Sequence, residues 1–362
     1  MIPATILVLC TRRLGDVLLA TALVRSLRLA WPAAAIDVLT LASSSAALEG
    51  NPDVRRVLSL PAGAGAWTSL AAIGGWRRYD LAISTVIDDR PHLLAFCAAP
   101  WRVNIVPSAG MPQERWKKWL SPQHAETNVG RFHTVTQNLR LADVLGVARH
   151  ASVVPPRPAN TARLEQLLGA QWSEGAYAVV HPAPLYTYKS WTVQGWADLL
   201  VGLIGRGLRV VLTAGPADQE QAFVRAVLER CPAGNIASVA GQLKLAELTP
   251  LIENARVYVG PDTSVTHLAA ATGRPTIALF GPSNPVNWGP WPQGYAAAVD
   301  SPWTLRAPMQ HQGNVWVVQG IKHCVPCLGE GCDKHLNSRA ACLDEMPAAR
   351  VLAVVDQALA KH

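Results

Sequence analysis

The stretch that most constrains this chain is "TILVLCTRRLGDVLLATALVRSLRLAWP", Thr5 to Pro32. "TILVLC" is a short, β-branched, apolar run and reads as a buried strand. A tight turn with a single glycine, Gly15, follows it. Beyond the turn Val17, Ala20, Leu23, Val24 and Leu27 fall on one helical face, with Arg25 and Arg28 off that face. Trp31-Pro32 ends the helix. Strand, turn and helix in that order open an α/β unit of the nucleotide-binding kind. Yet the turn carries one glycine and then an acid, Asp16. A phosphate-cradling loop uses several glycines and no negative charge.

The alternation continues. "AIDVLTLA", "VRRVLSLP", "YDLAISTV" and "WRVNIVP" read as further strands, so the first half predicts a parallel, doubly wound sheet. The proline-rich "VVPPRPAN", Val153 to Asn160, continues neither a helix nor a central strand and reads as a linker. The second half repeats the pattern. "AYAVVHPAP", "LRVVLTAGPAD", "RVYVG" and "TIALFG" are strands. "GWADLLVGLIGRG", closed by Gly207, "EQAFVRAVLERC", "LAELTPLIENA" and "SVTHLAAATG" are helices, and "ARVLAVVDQALA" is a last one. The expected organisation is α/β in two Rossmann-like domains, 1–155 and 160–342, then a C-terminal helix within 343–362. Two such domains facing each other form a cleft lined by strand C-termini and helix N-termini.

Only 16% of the 362 residues are charged, yet the formal net charge is +7. That balance favours an anionic partner: nucleic acid, an acidic membrane surface or a phosphorylated substrate. The N-terminus lacks a basic leader, and its apolar run is cut short by Arg12 and Arg13. The uncharged stretch from Val57 to Trp76 holds Pro61, glycines and serines, a poor membrane span. The chain reads as cytoplasmic, with membrane contact limited to the periphery.

Asp16 has two readings. It is a first-turn or capping acid of the helix, or a general base facing the cleft. In either case a carboxylate repels phosphate, which moves the phosphate site to the second half. The best candidate there is "VGPDTSVTHLAAATG", where Asp262, Thr263 and Ser264 open a helix whose free N–H groups and dipole suit a diphosphate. Asp262 is otherwise a cap, and His267, one turn in, is otherwise a core histidine. In "HPAPLYTYKSW" Lys189 stands at a strand-end loop and suits a leaving diphosphate; the bland reading is a surface lysine. In "TAGPADQEQ" Gly215 forms a turn, and Asp218 or Glu220 suits ribose hydroxyls or caps the next helix.

G-x-G-x-x-G and G-x-x-x-x-G-K-[ST] are both absent, as is a D-x-D pair for a metal-bound diphosphate. "QERWKKWLSPQHAETNVGRFH" interleaves Arg115, Lys117, Lys118 and Arg131 with tryptophans. It is a solvated basic loop or a contact for lipid headgroups and anionic sugars. No nucleic-acid-binding motif accompanies it. Of seven cysteines, Cys10, Cys97 and Cys231 stand alone. Cys324, Cys327, Cys332 and Cys342 follow C-x2-C-x4-C-x9-C, a spacing that suits a structural zinc or iron. Four reduced thiols or a redox pair is the alternative.

Together "RRLGDVLLATALVRSLRLAWPAAAIDVL", "HPAPLYTYKSW", "VGPDTSVTHLAAATGRPTIALFGPSNP" and the cysteine-rich tail resemble glycosyltransferase family 9, the ADP-heptose:lipopolysaccharide heptosyltransferases, and most of all its heptosyltransferase III branch. The resemblance implies a GT-B fold of two facing Rossmann-like domains, the first binding acceptor and the second nucleotide sugar, and an inverting reaction without a catalytic cofactor. It implies Asp16 as base, Lys189 on the diphosphate, and Asp262, Thr263, Ser264 and His267 on sugar and diphosphate, with Gly215 and Asp218 near the ribose. Arg12, Arg13, Arg115, Lys117 and Lys118 then face an anionic lipopolysaccharide core and lipid A at the inner face of the cytoplasmic membrane, and nucleic acid is not a partner. A nucleotide-sugar epimerase, an inactive relative kept for assembly and a transferase acting on protein are the competing readings.

Overall fold

The computed structural model describes residues 2–108, 115–128, 130–232, 234–296 and 300–361. The chain forms two compact units. One comprises Met1–Pro156 with Gly294–Ser301, the other Arg157–Gln293 with Pro302–His362.

The first unit runs β1 (Thr5–Cys10), α1 (Leu14–Ala30), β2 (Ala35–Leu41), β3 (Arg56–Leu60), α2 (Ala66–Ala72), β4 (Leu81–Ser84), α3 (Asp89–Ala98), β5 (Trp101–Val106), α4 (Arg115–Leu120), β6 (Gln123–Glu126) and α5 (Thr134–Val144). Its six strands are all parallel, in the order β3-β2-β1-β4-β5-β6. β1 lies at the centre and is buried from Ile6 to Cys10, as an uninterrupted apolar run requires when helices cover both faces. β6, "QHAE", is the polar edge. α1 is buried almost all round from Val17 to Leu27, more than its one-faced pattern suggests, because it packs on both the sheet and α5.

The second unit runs α6 (Ala162–Leu168), β7 (Tyr177–Val180), α7 (Val193–Ile204), β8 (Arg209–Leu212), α8 (Asp218–Leu228), β9 (Ile236–Ser238), α9 (Leu245–Glu253), β10 (Val257–Pro261), α10 (Ser264–Ala271), β11 (Thr276–Phe280), α11 (Pro285–Trp288), β12 (Met309–Gln312), β13 (Val315–Gln319), α12 (Ala341–Asp344) and α13 (Ala348–Lys361). The strand order is β12-β13-β11-β10-β7-β8-β9, with only β12 antiparallel. Apart from β12, this is the connectivity of the first unit repeated. Gly207 closes α7 with a φ of +77°, and Leu208 N–H bonds back to the Leu203 carbonyl, so glycine relieves a turn that other residues resist.

Several elements are not visible as sequence patterns. α2 lies inside the uncharged Val57–Trp76 stretch, and α3 follows β4 after four residues. The basic segment is not a loop: it holds helix α4 and strand β6. Its charges concealed a short helix whose Leu120 and Lys117 point inward.

Candidate active site

Both units reverse strand order at one place, between β1 and β4 in the first and between β7 and β10 in the second. The crevice beyond the C-terminal ends of strands at such a switch point is where open α/β sheets bind ligands. The candidate groups gather at these two places.

In the first unit the turn after β1 carries Arg12, Arg13 and Asp16. Asp16 is in the first turn of α1, not at its cap; Arg13 occupies the cap position and gives no side-chain capping bond. Burial pushes the Asp16 carboxyl above its ordinary range. The charges of Arg12 and Arg13 and backbone N–H groups at Asp16 and Arg13 oppose the shift without cancelling it. Arg12 pairs with Asp88, just beyond β4, at 3.0 Å, so the switch point is bridged by an exposed ion pair.

The basic segment divides. Lys117 is only 3% exposed, and its ammonium donates to the Ile87 carbonyl at 2.6 Å and pairs with Asp89 at 2.7 Å. Expected as an acceptor contact, Lys117 is instead a structural tie between α4 and the start of α3, because a buried ammonium needs such partners. Lys118 pairs with Glu126 at 2.5 Å. Arg115 is exposed and Arg131 pairs with Asp300 at 2.7 Å.

In the second unit β7 leads to His181, buried against Thr213 Oγ1 at 3.0 Å, and then to a loop whose last turn of 3-10 helix ends at Lys189. Burial alone pulls His181 down to about 4. Lys189 Nζ reaches across to Asp262, immediately past β10, at 2.6 Å. Burial alone would raise Asp262; the Lys189 charge, with hydrogen bonds from Lys189 and Ser283, outweighs it and holds the carboxyl below its usual range.

The cap of α10 is Thr263, whose hydroxyl accepts from Thr266 N–H at 3.4 Å, so Asp262 is not the cap. Intrahelical bonding begins with Thr266 and His267 to the Thr263 carbonyl. Ser264 and Val265 N–H therefore stand ahead of the helix bonds, where an anion is favoured. Gly260 allows this close packing: a Cβ there would strike the Tyr258 hydroxyl and crowd Thr266. His267 is buried, and among the described residues its Nδ1 has no hydrogen-bond partner. Burial pulls it down to about 4 in spite of nearby Asp262, so it is neutral at physiological pH.

In the loop after β8, Asp218 is exposed at the start of α8. Glu220 is half-buried and folds its carboxylate over Gly215, where a Cβ would collide with it. Burial raises the Glu220 carboxyl, and backbone N–H groups of Ala217 and Gly215 partly offset this. Of the two acids, Glu220 belongs to the turn. Sequence alone could not separate them, since both stand in the first turn of one helix.

Around the cysteine-rich tail Cys342 is buried, and Cys324, Cys327 and Cys332 are exposed; all are free thiols. Cys342 is pushed up to about 12, by burial first and then by the other three sulfurs nearby. Ala341 N–H donates to Cys332 Sγ at 3.4 Å. Among the described residues no three His, Cys, Asp or Glu side chains converge closely enough to hold a metal.

Comparison with known proteins agrees with this architecture. The family model of glycosyltransferase family 9 (heptosyltransferase) matches residues 77–306. Lipopolysaccharide heptosyltransferase 3 of Escherichia coli K12 is 30% identical over 290 residues, 76% of this chain and 82% of that protein. Among solved structures, E. coli ADP-heptose lipopolysaccharide heptosyltransferase II superposes with a TM-score of 0.72 at 20% identity, over 99% of each chain. E. coli heptosyltransferase WaaC with ADP gives 0.69 at 18% identity, over 98% of this chain and 99% of that one. The fold is thus α/β of the GT-B class, built of two Rossmann-like units, and the chain is a glycosyltransferase that belongs to glycosyltransferase family 9.

Proposed function

We propose that this chain transfers a heptose from ADP-heptose to the inner core of lipopolysaccharide, by an inverting displacement that needs no catalytic metal. The observation that carries the reading is the buried Lys189–Asp262 pair beside the open N-terminus of α10. That arrangement supplies one fixed cation and two outward N–H groups, a suitable receptor for a departing diphosphate. The names of the relatives supply the sugar and acceptor classes.

In the proposed reaction Asp16 accepts the proton of an acceptor hydroxyl. The oxygen attacks the anomeric carbon from the face opposite the diphosphate, and the C–O bond to the β-phosphate breaks. Lys189 and the Ser264 and Val265 N–H groups take up the charge that develops on ADP. Asp262 holds Lys189 in place and is itself fixed by Ser283. Glu220, in the turn at Gly215, is the better placed of the two acids for a ribose diol, with Asp218 further out. Arg12 and Arg13 face an anionic acceptor beside the base. Among the described residues no helix is long and apolar enough to cross a membrane. We assign the chain to the cytoplasmic face of the inner membrane as a peripheral protein, where a lipid-anchored acceptor core is accessible.

The test is transfer from a panel of nucleotide sugars to core-truncated lipopolysaccharides, with wild type beside Asp16→Asn. Transfer from ADP-heptose alone, abolished in the variant, supports the reading. Transfer from a different nucleotide sugar, or undiminished turnover in Asp16→Asn, overturns the donor or the base respectively.

A further inference from the structure

We infer that the first unit docks on an anionic lipid bilayer through the face formed by α2, the start of β3 and the segment leading into β4. This rests on the reading that the acceptor is lipid-anchored, and it names the surface that reading leaves open.

Two tryptophans on this face are unusually exposed: Trp67, in the first turn of α2, at 84%, and Trp76, just beyond it, at 57%. Soluble surfaces seldom present large aromatic rings this way, whereas indoles are favoured at a lipid headgroup boundary. Neither lies in the first unit's candidate catalytic turn. Trp76 packs edge-on against Phe96, and the Arg77 guanidinium lies over both rings, so the exposed indole is held and does not wander.

At the C-terminal end of α2, two residues from Trp76 along the chain on either side, is a cavity of about 450 Å³ lined by Arg55, Arg56, Arg78 and Tyr79 together with small residues such as Ala71, Ala72 and Gly74. Its base is built. Asp37 is fully buried and binds Arg55 at 2.6 Å, Arg56 at 2.8 Å and the Tyr79 hydroxyl at 2.9 Å. One inward carboxylate thus orients two guanidinium groups whose outer edges remain at the surface. Asp80, the other acid here, turns inward to the backbone N–H groups of Ala4 and Thr5 at 2.9 Å. Four arginines against these two acids leave the face positive, matched to phosphate-bearing headgroups. The whole unit carries sixteen Lys/Arg against eleven Asp/Glu, which is five of the net seven charges.

The competing surface in the same unit is Trp119 on α4, at 79% exposure. Its neighbouring cations are already engaged, Lys117 by Asp89 and Lys118 by Glu126. Arg115, exposed one turn before Trp119 on α4, is the cation left there, against the four arginines gathered around Trp76. Trp67 opens α2 beyond the C-terminal end of β3, whereas Trp76 follows its other end, on the side where β3 and β4 begin and the arginines gather, so the two indoles mark the two ends of α2.

The experiment is co-sedimentation of the full chain with vesicles containing no acceptor, either phosphatidylcholine alone or phosphatidylcholine with a minority of phosphatidylglycerol. Binding to the anionic vesicles only is expected, weakening with salt. Trp67→Ser with Trp76→Ser should reduce partitioning on the order of tenfold, since two indoles leave the interface. Arg78→Gln should reduce it roughly fivefold, the effect of about one charge near the surface. Trp119→Ser should leave it unchanged. Equal binding of neutral and anionic vesicles, no binding, or loss in Trp119→Ser but not in the α2 variants overturns the proposal. Transfer to a detergent-dispersed acceptor is measured in parallel. The α2 variants should retain it, so failure of the docking surface and failure of the transferase reading give different results.

Discussion

Lys189 Nζ sits 2.6 Å from the Asp262 carboxylate, and the two residues follow strands that are paired neighbours, β7 and β10. Their 73-residue separation is closed by the sheet. Both are largely buried, so neither charge is tolerable without the other.

Lys189→Ala should therefore do two things. It should lower kcat/KM by roughly 10²–10³, as loss of one stabiliser of developing charge does. It should also destabilise the fold by about 3–5 kcal/mol, because Asp262 is left buried and unpaired. Lys189→Met with Asp262→Asn should recover much of the stability and none of the activity. Urea unfolding and initial rates on the three variants check this. The sign with pH follows from the lowered Asp262 carboxyl. Its stabilising contribution is present above the unfolded-state value and is lost as pH falls through the lower folded value.

Asp16 has the opposite sign. Its carboxyl is raised by burial, so the folded state favours the protonated form, and ionisation at neutral pH costs stability. Asp16→Asn should be inactive and at least as stable as wild type, measured by thermal unfolding at neutral pH. An inactive variant that is markedly less stable would contradict this.

The acid limb of kcat/KM should titrate above the ordinary aspartate value of about 3.9. Replacing Arg12 or Arg13 by Gln should move it further up, since each cation opposes the shift. His267 and His181 are not expected to contribute near neutrality, as both are pulled down to about 4. A pH–rate profile of wild type beside the arginine variants distinguishes these.

Lys117 and Arg115, two residues apart on α4, should behave differently. Lys117→Ala removes a buried donor from the Ile87 carbonyl and should cost about 1–3 kcal/mol. Arg115→Ala, at the surface, should stay within about 0.5 kcal/mol. Denaturant midpoints at fixed m-value check this pair.

In the core, Gly195 on α7 lies against the Trp191 ring, where a Cβ would collide. Trp191 is fully buried and its indole N–H donates to the Met346 carbonyl at 3.0 Å, so the ring has little room to move. Gly195→Ala should destabilise the second unit by about 1–3 kcal/mol through overpacking. Calorimetric unfolding of the variant is the measurement.

The central strands were legible in sequence because parallel strands covered on both faces must be continuous apolar runs, as in "TILVLC" and "TIALF". The turn acid Asp16, Lys189 and the Thr263–Ser264 helix start were legible because each stands where a strand run stops. The short α2, α4 and β6 were not, since too few residues repeat for a period to appear. Nor could sequence say which basic residue of "RWKK" faces inward, or whether Asp218 or Glu220 belongs to the turn at Gly215. Those outcomes depend on neighbours far away in the chain. Ile87 and Asp89 hold Lys117, and the fold of the β8–α8 turn selects Glu220. By itself the sequence determined the alternation of elements and which residue types stand at strand ends, because both follow from local burial and turn chemistry. Only the tertiary structure decided that Lys189 meets Asp262 and that Lys117 is buried. Parallel pairing joins strands distant in sequence, and a buried charge goes where a partner is.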